Sequence, residues 1–108
     1  MRHIILSDNT RIDNCSNSAT AHNIIAIRDT YEEAGAVMDL FTSENSETIK
    51  VYDENDTLVE TGINLKLLDN VTIMKSNDKV QIEILLRDKT EIELLQDQIA
   101  ELQEAVIG

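Results

Sequence analysis

A chain of 108 residues can bury one modest hydrophobic core but not two independent ones, so we expect one domain with an appendage. The formal net charge of −12, from 21 acidic and 9 basic residues, argues against binding to nucleic acid, because phosphate backbones require cationic partners. Two tyrosines and one phenylalanine are the only aromatic residues, so the core must consist mainly of Ile, Leu and Val.

The chain shows no sign of export or of membrane insertion. Cys15 has no second cysteine with which to form an internal disulfide, and the N-terminal residues lack the pattern of a secretory signal. No apolar run approaches the roughly 20 residues that a membrane-spanning helix needs. We therefore expect synthesis and folding in a reducing cytoplasm and no membrane partner.

The first third of the chain predicts three strands and a helix. Residues 3–6 and 11–13 are separated by turn-forming side chains and predict a hairpin, and residues 23–27 predict a third strand. A capping box at Thr30 and Glu33 predicts the start of a helix that ends within residues 42–46. The apolar side chains of its predicted buried face are Ala34, Val37, Met38 and Phe41.

The middle of the chain alternates apolar and polar residues, as strands do. Residues 49–51 and 58–67 predict two strands joined by a hairpin loop at residues 53–57. Asp69 and Asn70 predict a further break before a pair of strands around Val71 and residues 80–86. These segments predict an antiparallel meander. The chain contains no proline, a residue that commonly prevents edge strands from pairing with other chains.

The last segment predicts a helix with a heptad seam. A second capping box, at Thr90 and Glu93, precedes residues that favour helix up to the end of the chain. Its apolar residues recur at steps of three and four, with Ile or Val at heptad position a and Leu at position d. These residues are Ile92, Leu95, Ile99, Leu102 and Val106.

Taken together, these elements predict an α+β fold: a small antiparallel β-meander domain over residues 1–87, with one short helix, and a coiled-coil-like oligomerisation helix over residues 88–108. Two arrangements of that last helix are open, because it could fold back onto the sheet or project and be covered by a partner. The seam is compatible with either a dimer or a trimer, since so few heptads do not determine how many helices associate.

The sequence contains no recognisable catalytic or metal-binding pattern. The spacing of His3, Cys15 and His22 matches no known zinc motif. The acidic loop at residues 53–57 resembles a calcium loop only superficially, since Leu58 and Asn64 occupy the positions that require Gly and Glu. The three glycines are too scattered to cradle a phosphate. We therefore predict a protein that is not an enzyme and has no cofactor, metal or small-molecule substrate.

The order of several short motifs resembles that of small tail- or virion-associated proteins of tailed phages infecting Gram-positive bacteria. The motifs are the turn at residues 6–10, the helix start at residues 30–33, the strand at residues 49–53, Gly62, and the terminal leucine-rich helix. This resemblance implies a non-enzymatic structural or assembly role in the virion or tail, with homo-oligomers and other virion proteins as partners. It also implies synthesis in the host cytoplasm before incorporation into the virion.

The acidic charge supports an alternative from a different class. A free regulator or inhibitor could occupy a basic site on a host protein, since complementary charge favours such complexes. A small hydrolase is a third and weaker hypothesis. Self-association of the purified chain would favour the assembly role, whereas salt-sensitive binding of a monomer to a basic partner would favour the regulator.

Overall fold

The computed structural model describes residues 1–107, of which the side chains of residues 69–70 and 104–107 lie outside the description. Over that range seven strands form one antiparallel sheet, accompanied by two helices. The strands are β1 (Arg2–Ile5), β2 (Arg11–Cys15), β3 (Asn23–Arg28), β4 (Thr48–Tyr52), β5 (Leu58–Ile63), β6 (Leu65–Ser76) and β7 (Lys79–Asp88). The helices are α1 (Tyr31–Asp39) and α2 (Glu91–Ile107). The predicted α+β class is confirmed.

The strands lie in the order β5-β4-β1-β2-β3-β7-β6. The neighbours β1–β2, β2–β3, β4–β5 and β6–β7 follow each other in the chain, as in a meander, whereas β1–β4 and β3–β7 join distant segments. The two edge strands β5 and β6 are connected by Asn64 alone, so the sheet must curl until its edges meet at this residue. Asn64 has a φ of 55°, a left-handed conformation that asparagine tolerates better than most residues.

Gly62 lies where this curling brings the chain close to itself. A Cβ atom at position 62 would come within 2.6 Å of Leu65 Cδ1 and 2.8 Å of Ala21 Cβ. Both neighbours are fully buried, so neither has room to move away. Glycine is therefore required here by close approach, and not by an unusual φ.

The strand break predicted at residues 69–70 is wrong. β6 continues through these residues to Ser76, and only its register with β7 shifts, between the pairs Leu67–Leu86 and Val71–Ile84. Such an irregularity bends a strand without reversing it. The turn-forming residues therefore mark a bulge instead of a turn.

The core lies between the concave sheet and α1. Alternate residues of β7 are buried, and α1 contacts β3, β6 and β7 with Ala34 and Val37 buried. One arm of the predicted capping box of α1 is formed, since the Glu33 amide donates to Thr30 Oγ1 at 3.1 Å. Met38 departs from the prediction, because its side chain is 36% exposed.

A candidate protein-interaction site on the terminal helix

The aliphatic seam of α2 faces solvent. The side chains of Ile92, Leu95, Ile99 and Leu102 are 67%, 56%, 53% and 65% exposed, respectively. The side chain of Val106, the fifth predicted seam residue, lies outside the described residues. The structure therefore brings four of the five predicted residues onto one uncovered face, and α2 does not fold this face back onto the sheet.

The start of α2 is capped as the sequence predicts. The Glu93 amide donates to Thr90 Oγ1 at 3.2 Å, and the Thr90 amide donates to the Glu93 carboxylate at 3.0 Å. Both arms of the capping box are thus formed, which satisfies two amides that otherwise lack partners at a helix start. The direction of α2 is consequently well defined from its first turn.

Glu93 also joins α2 to the sheet. Arg87 donates to both carboxylate oxygens of Glu93, at 2.6 Å and 3.0 Å, and Lys66 Nζ donates to Oε2 at 2.9 Å. One turn later, Lys89 Nζ donates to Asp97 Oδ2 at 2.8 Å. We call these five residues the root clamp. The sequence marks Glu93 only as a capping residue, because the proximity of Arg87 and Lys66 depends on the tertiary fold.

The contacts of Glu93 alter its ionisation. The hydrogen bonds from Arg87, then from the Thr90 amide and from Lys66, hold the pKa of the Glu93 carboxyl well below its ordinary value. A lowered folded-state pKa stabilises the folded chain above the pKa of the unfolded state, and this contribution is lost only as the pH falls through the lowered value. The root clamp should therefore stay intact in mildly acidic solution.

The flanks of the seam are polar and mostly uncharged. Glu91, Gln96, Gln98 and Gln103 occupy adjoining heptad positions and are exposed, and Glu91 is the one charged residue among these four. Glu101 is also exposed but lies on the side of α2 away from the seam, and α2 contains no Lys or Arg. Beyond the first turn, a helix that pairs along the seam would therefore meet amides before it meets carboxylates.

A cleft of about 480 Å³ lies beside the first two turns of α2. The buried Phe41 and Leu65 and the half-buried Leu67 form its wall on the domain side, while Glu93 and Asp97 line the helix side. Both carboxylates are engaged in the root clamp. The cleft thus lies between the base of α2 and the rest of the domain.

The two histidines, His3 and His22, contact other side chains of the domain. His3 is 7% exposed and stacks on Tyr52 with ring centroids 4.9 Å apart. His22 Nε2 lies 2.9 Å from Asp88 Oδ1 and so links the β2–β3 connection to the end of β7. Among the side chains that the structure describes, no group of three His, Cys, Asp or Glu residues is placed to hold a metal ion.

The acidic loop at residues 53–57 is a hairpin turn, as predicted. Asp53 Oδ1 accepts hydrogen bonds from the amides of Asn55 and Thr57, at 2.9 Å and 3.0 Å. Asp56 completes the turn with a φ of 60°.

Neither helix, over the part of the chain that is described, has the length and apolar character to cross a membrane.

Cys15 should be unreactive while the chain is folded. Its thiol is fully buried, and burial raises its pKa to about 11 because the thiolate loses solvation. At pH 8 we expect a disulfide reagent to modify Cys15 at least about 100-fold more slowly in the folded chain than in urea. An added thiol in Gln103→Cys, at an exposed position, is the control and should react fast in both states. Equal rates for Cys15 in both states would contradict its burial.

Comparison of the chain with known protein families, with curated proteins and with solved structures finds no match. The resemblance to small phage proteins therefore stays a hypothesis.

Proposed function

We propose that this chain is a non-enzymatic assembly protein that associates with copies of itself through the seam of α2. The observation that carries the proposal is the row of four large aliphatic side chains, each more than half exposed, on one face of one helix. Fully burying such a side chain contributes about 1.5–3 kcal/mol, so leaving four of them in water is costly. Covering the row would recover this free energy.

A second copy of α2 is the partner that best fits the seam. Isoleucine at position a with leucine at position d is the combination that favours parallel two-stranded coils. The flanking glutamines carry no charge, so two copies can approach without bringing carboxylates together along the contact. A helix of this length is marginal in water on its own, and pairing would stabilise its outer turns.

The resemblance to phage proteins gives this proposal a biological setting. We propose a structural or assembly role in a tail or virion, in which copies of the chain associate with each other and with other virion proteins. The two edge strands β5 and β6 support contacts with other virion proteins, because Val59, Ile63 and Met74 expose apolar side chains there.

Analytical ultracentrifugation tests the self-association. The full chain should sediment with two or three times its mass of 12.2 kDa, and a chain ending at Lys89 should sediment as a monomer. Added salt should strengthen the self-association, because it screens repulsion between copies that each carry a net charge of −12. A monomer at every concentration that binds a basic protein in a salt-sensitive manner would instead support the acidic regulator.

A further inference from the structure

The connection between the sheet and α2 is short. β7 ends at Asp88 and α2 begins at Glu91, which leaves Lys89 and Thr90 as the link. The Lys89 amide donates to the Asn64 carbonyl at 2.9 Å, so the link is tied to the point where the edges of the sheet meet. Any further restraint on the orientation of α2 must come from its side chains.

The root clamp supplies that restraint at two successive turns. Glu93 and Asp97 are four residues apart and therefore lie on the same face of α2. The Glu93 side chain is only 20% exposed, and that of Lys89 is only 12% exposed, so these contacts are partly shielded from water. Two anchored positions on one face fix the rotation of a helix about its own axis.

The clamped face of α2 is almost opposite the seam. With 100° per residue, the mean direction of Glu93 and Asp97 lies about 160° from that of the four exposed seam residues. Holding the first face against the domain therefore turns the second face to solvent. If α2 rotated, the seam would instead face the cleft, where the half-buried Leu67 is the accessible apolar side chain.

We propose that Glu93 is a positioning residue: together with Arg87 and Lys66 it holds α2 with the seam outward, in the orientation that accepts a second copy. This inference rests on the proposed self-association and specifies what controls it. In the clamped orientation the seam faces solvent and can bind a second copy. When the clamp is released, α2 can turn the seam toward the cleft, and this orientation competes with self-association.

Glu93→Gln tests the proposal in the full chain. Glutamine also serves at this position of a capping box, so the variant keeps the cap and removes the charge that binds Arg87 and Lys66. We expect the dissociation constant of the self-associated form to rise about fivefold. Arg87→Gln should act similarly, and the double variant should be no worse than either single variant, since both remove the same contact.

Glu101→Gln is the matched control, because it removes the same charge from α2 outside the root clamp. Charge repulsion alone predicts that both neutralised variants associate more tightly than the wild-type chain. The proposal instead predicts weaker self-association for Glu93→Gln and equal or tighter self-association for Glu101→Gln. Unchanged or tighter association of Glu93→Gln would overturn it.

A second measurement does not depend on self-association. A nitroxide label on Gln103→Cys should broaden the amide signals of Phe41 and Leu67 when Glu93→Gln is added, and much less in its absence, at a concentration where the chain is monomeric. Equal broadening in both backgrounds would overturn the role of Glu93. A wild-type chain that never associates would refute the proposed function, but this comparison would still decide whether the clamp orients α2.

Discussion

Replacing both Ile99 and Leu102 with glutamate is expected to make the chain monomeric while leaving its sheet folded. These side chains are 53% and 65% exposed, so the monomer loses little packing when they are changed. In a pair of helices, however, four buried aliphatic side chains would become four carboxylates inside the contact. We expect the dissociation constant to rise by about 10³-fold or more, measured by sedimentation equilibrium.

The control adds the same charge outside the seam. Gln98→Glu combined with Ala100→Glu changes two exposed positions of α2 and leaves every a and d residue in place. The added repulsion should weaken association less than about tenfold, and moderate salt should reverse most of that effect. Circular dichroism should show the same strand content in both double variants. A seam variant that assembles like the wild-type chain would refute the proposed function.

The features that the sequence predicts best are those with local causes. Thr30 and Thr90 each precede a glutamate by three residues, and the structure shows hydrogen bonds of the predicted kind at both. The buried alternation of β7 and the alignment of Ile92, Leu95, Ile99 and Leu102 on one face of α2 follow directly from the spacing of apolar residues along the chain. Neighbouring residues alone determine these patterns.

The features that the sequence does not predict depend on residues far apart in the chain. The pairing of β1 with β4 joins Ile4 to Val51, and no local signal specifies it. The same is true of the root clamp, because only the folded sheet brings Lys66 and Arg87 to Glu93. The orientation of α2, and hence the exposure of its seam, could not be derived from the heptad pattern for this reason.

Ile84→Ala is expected to destabilise the domain more than any substitution on its surface. Ile84 is fully buried on β7, between Ile24 of β3 and Val71 of β6, so its removal leaves a cavity where three strands meet. A buried Ile→Ala change costs about 2–5 kcal/mol, a large part of the total stability of roughly 5–15 kcal/mol for a domain of this kind. Urea unfolding should show a lower midpoint with an unchanged slope.

The matched control for the core is Ile63→Ala at the edge strand β5, where the side chain is 62% exposed. The same atoms are removed, but they contact mostly water, so the loss should stay below about 1 kcal/mol. Both changes are best measured in the background of the Ile99→Glu and Leu102→Glu substitutions, since self-association would otherwise add concentration-dependent stability. Equal losses of unfolding free energy for the two variants would show that Ile84 of β7 is not packed in the core.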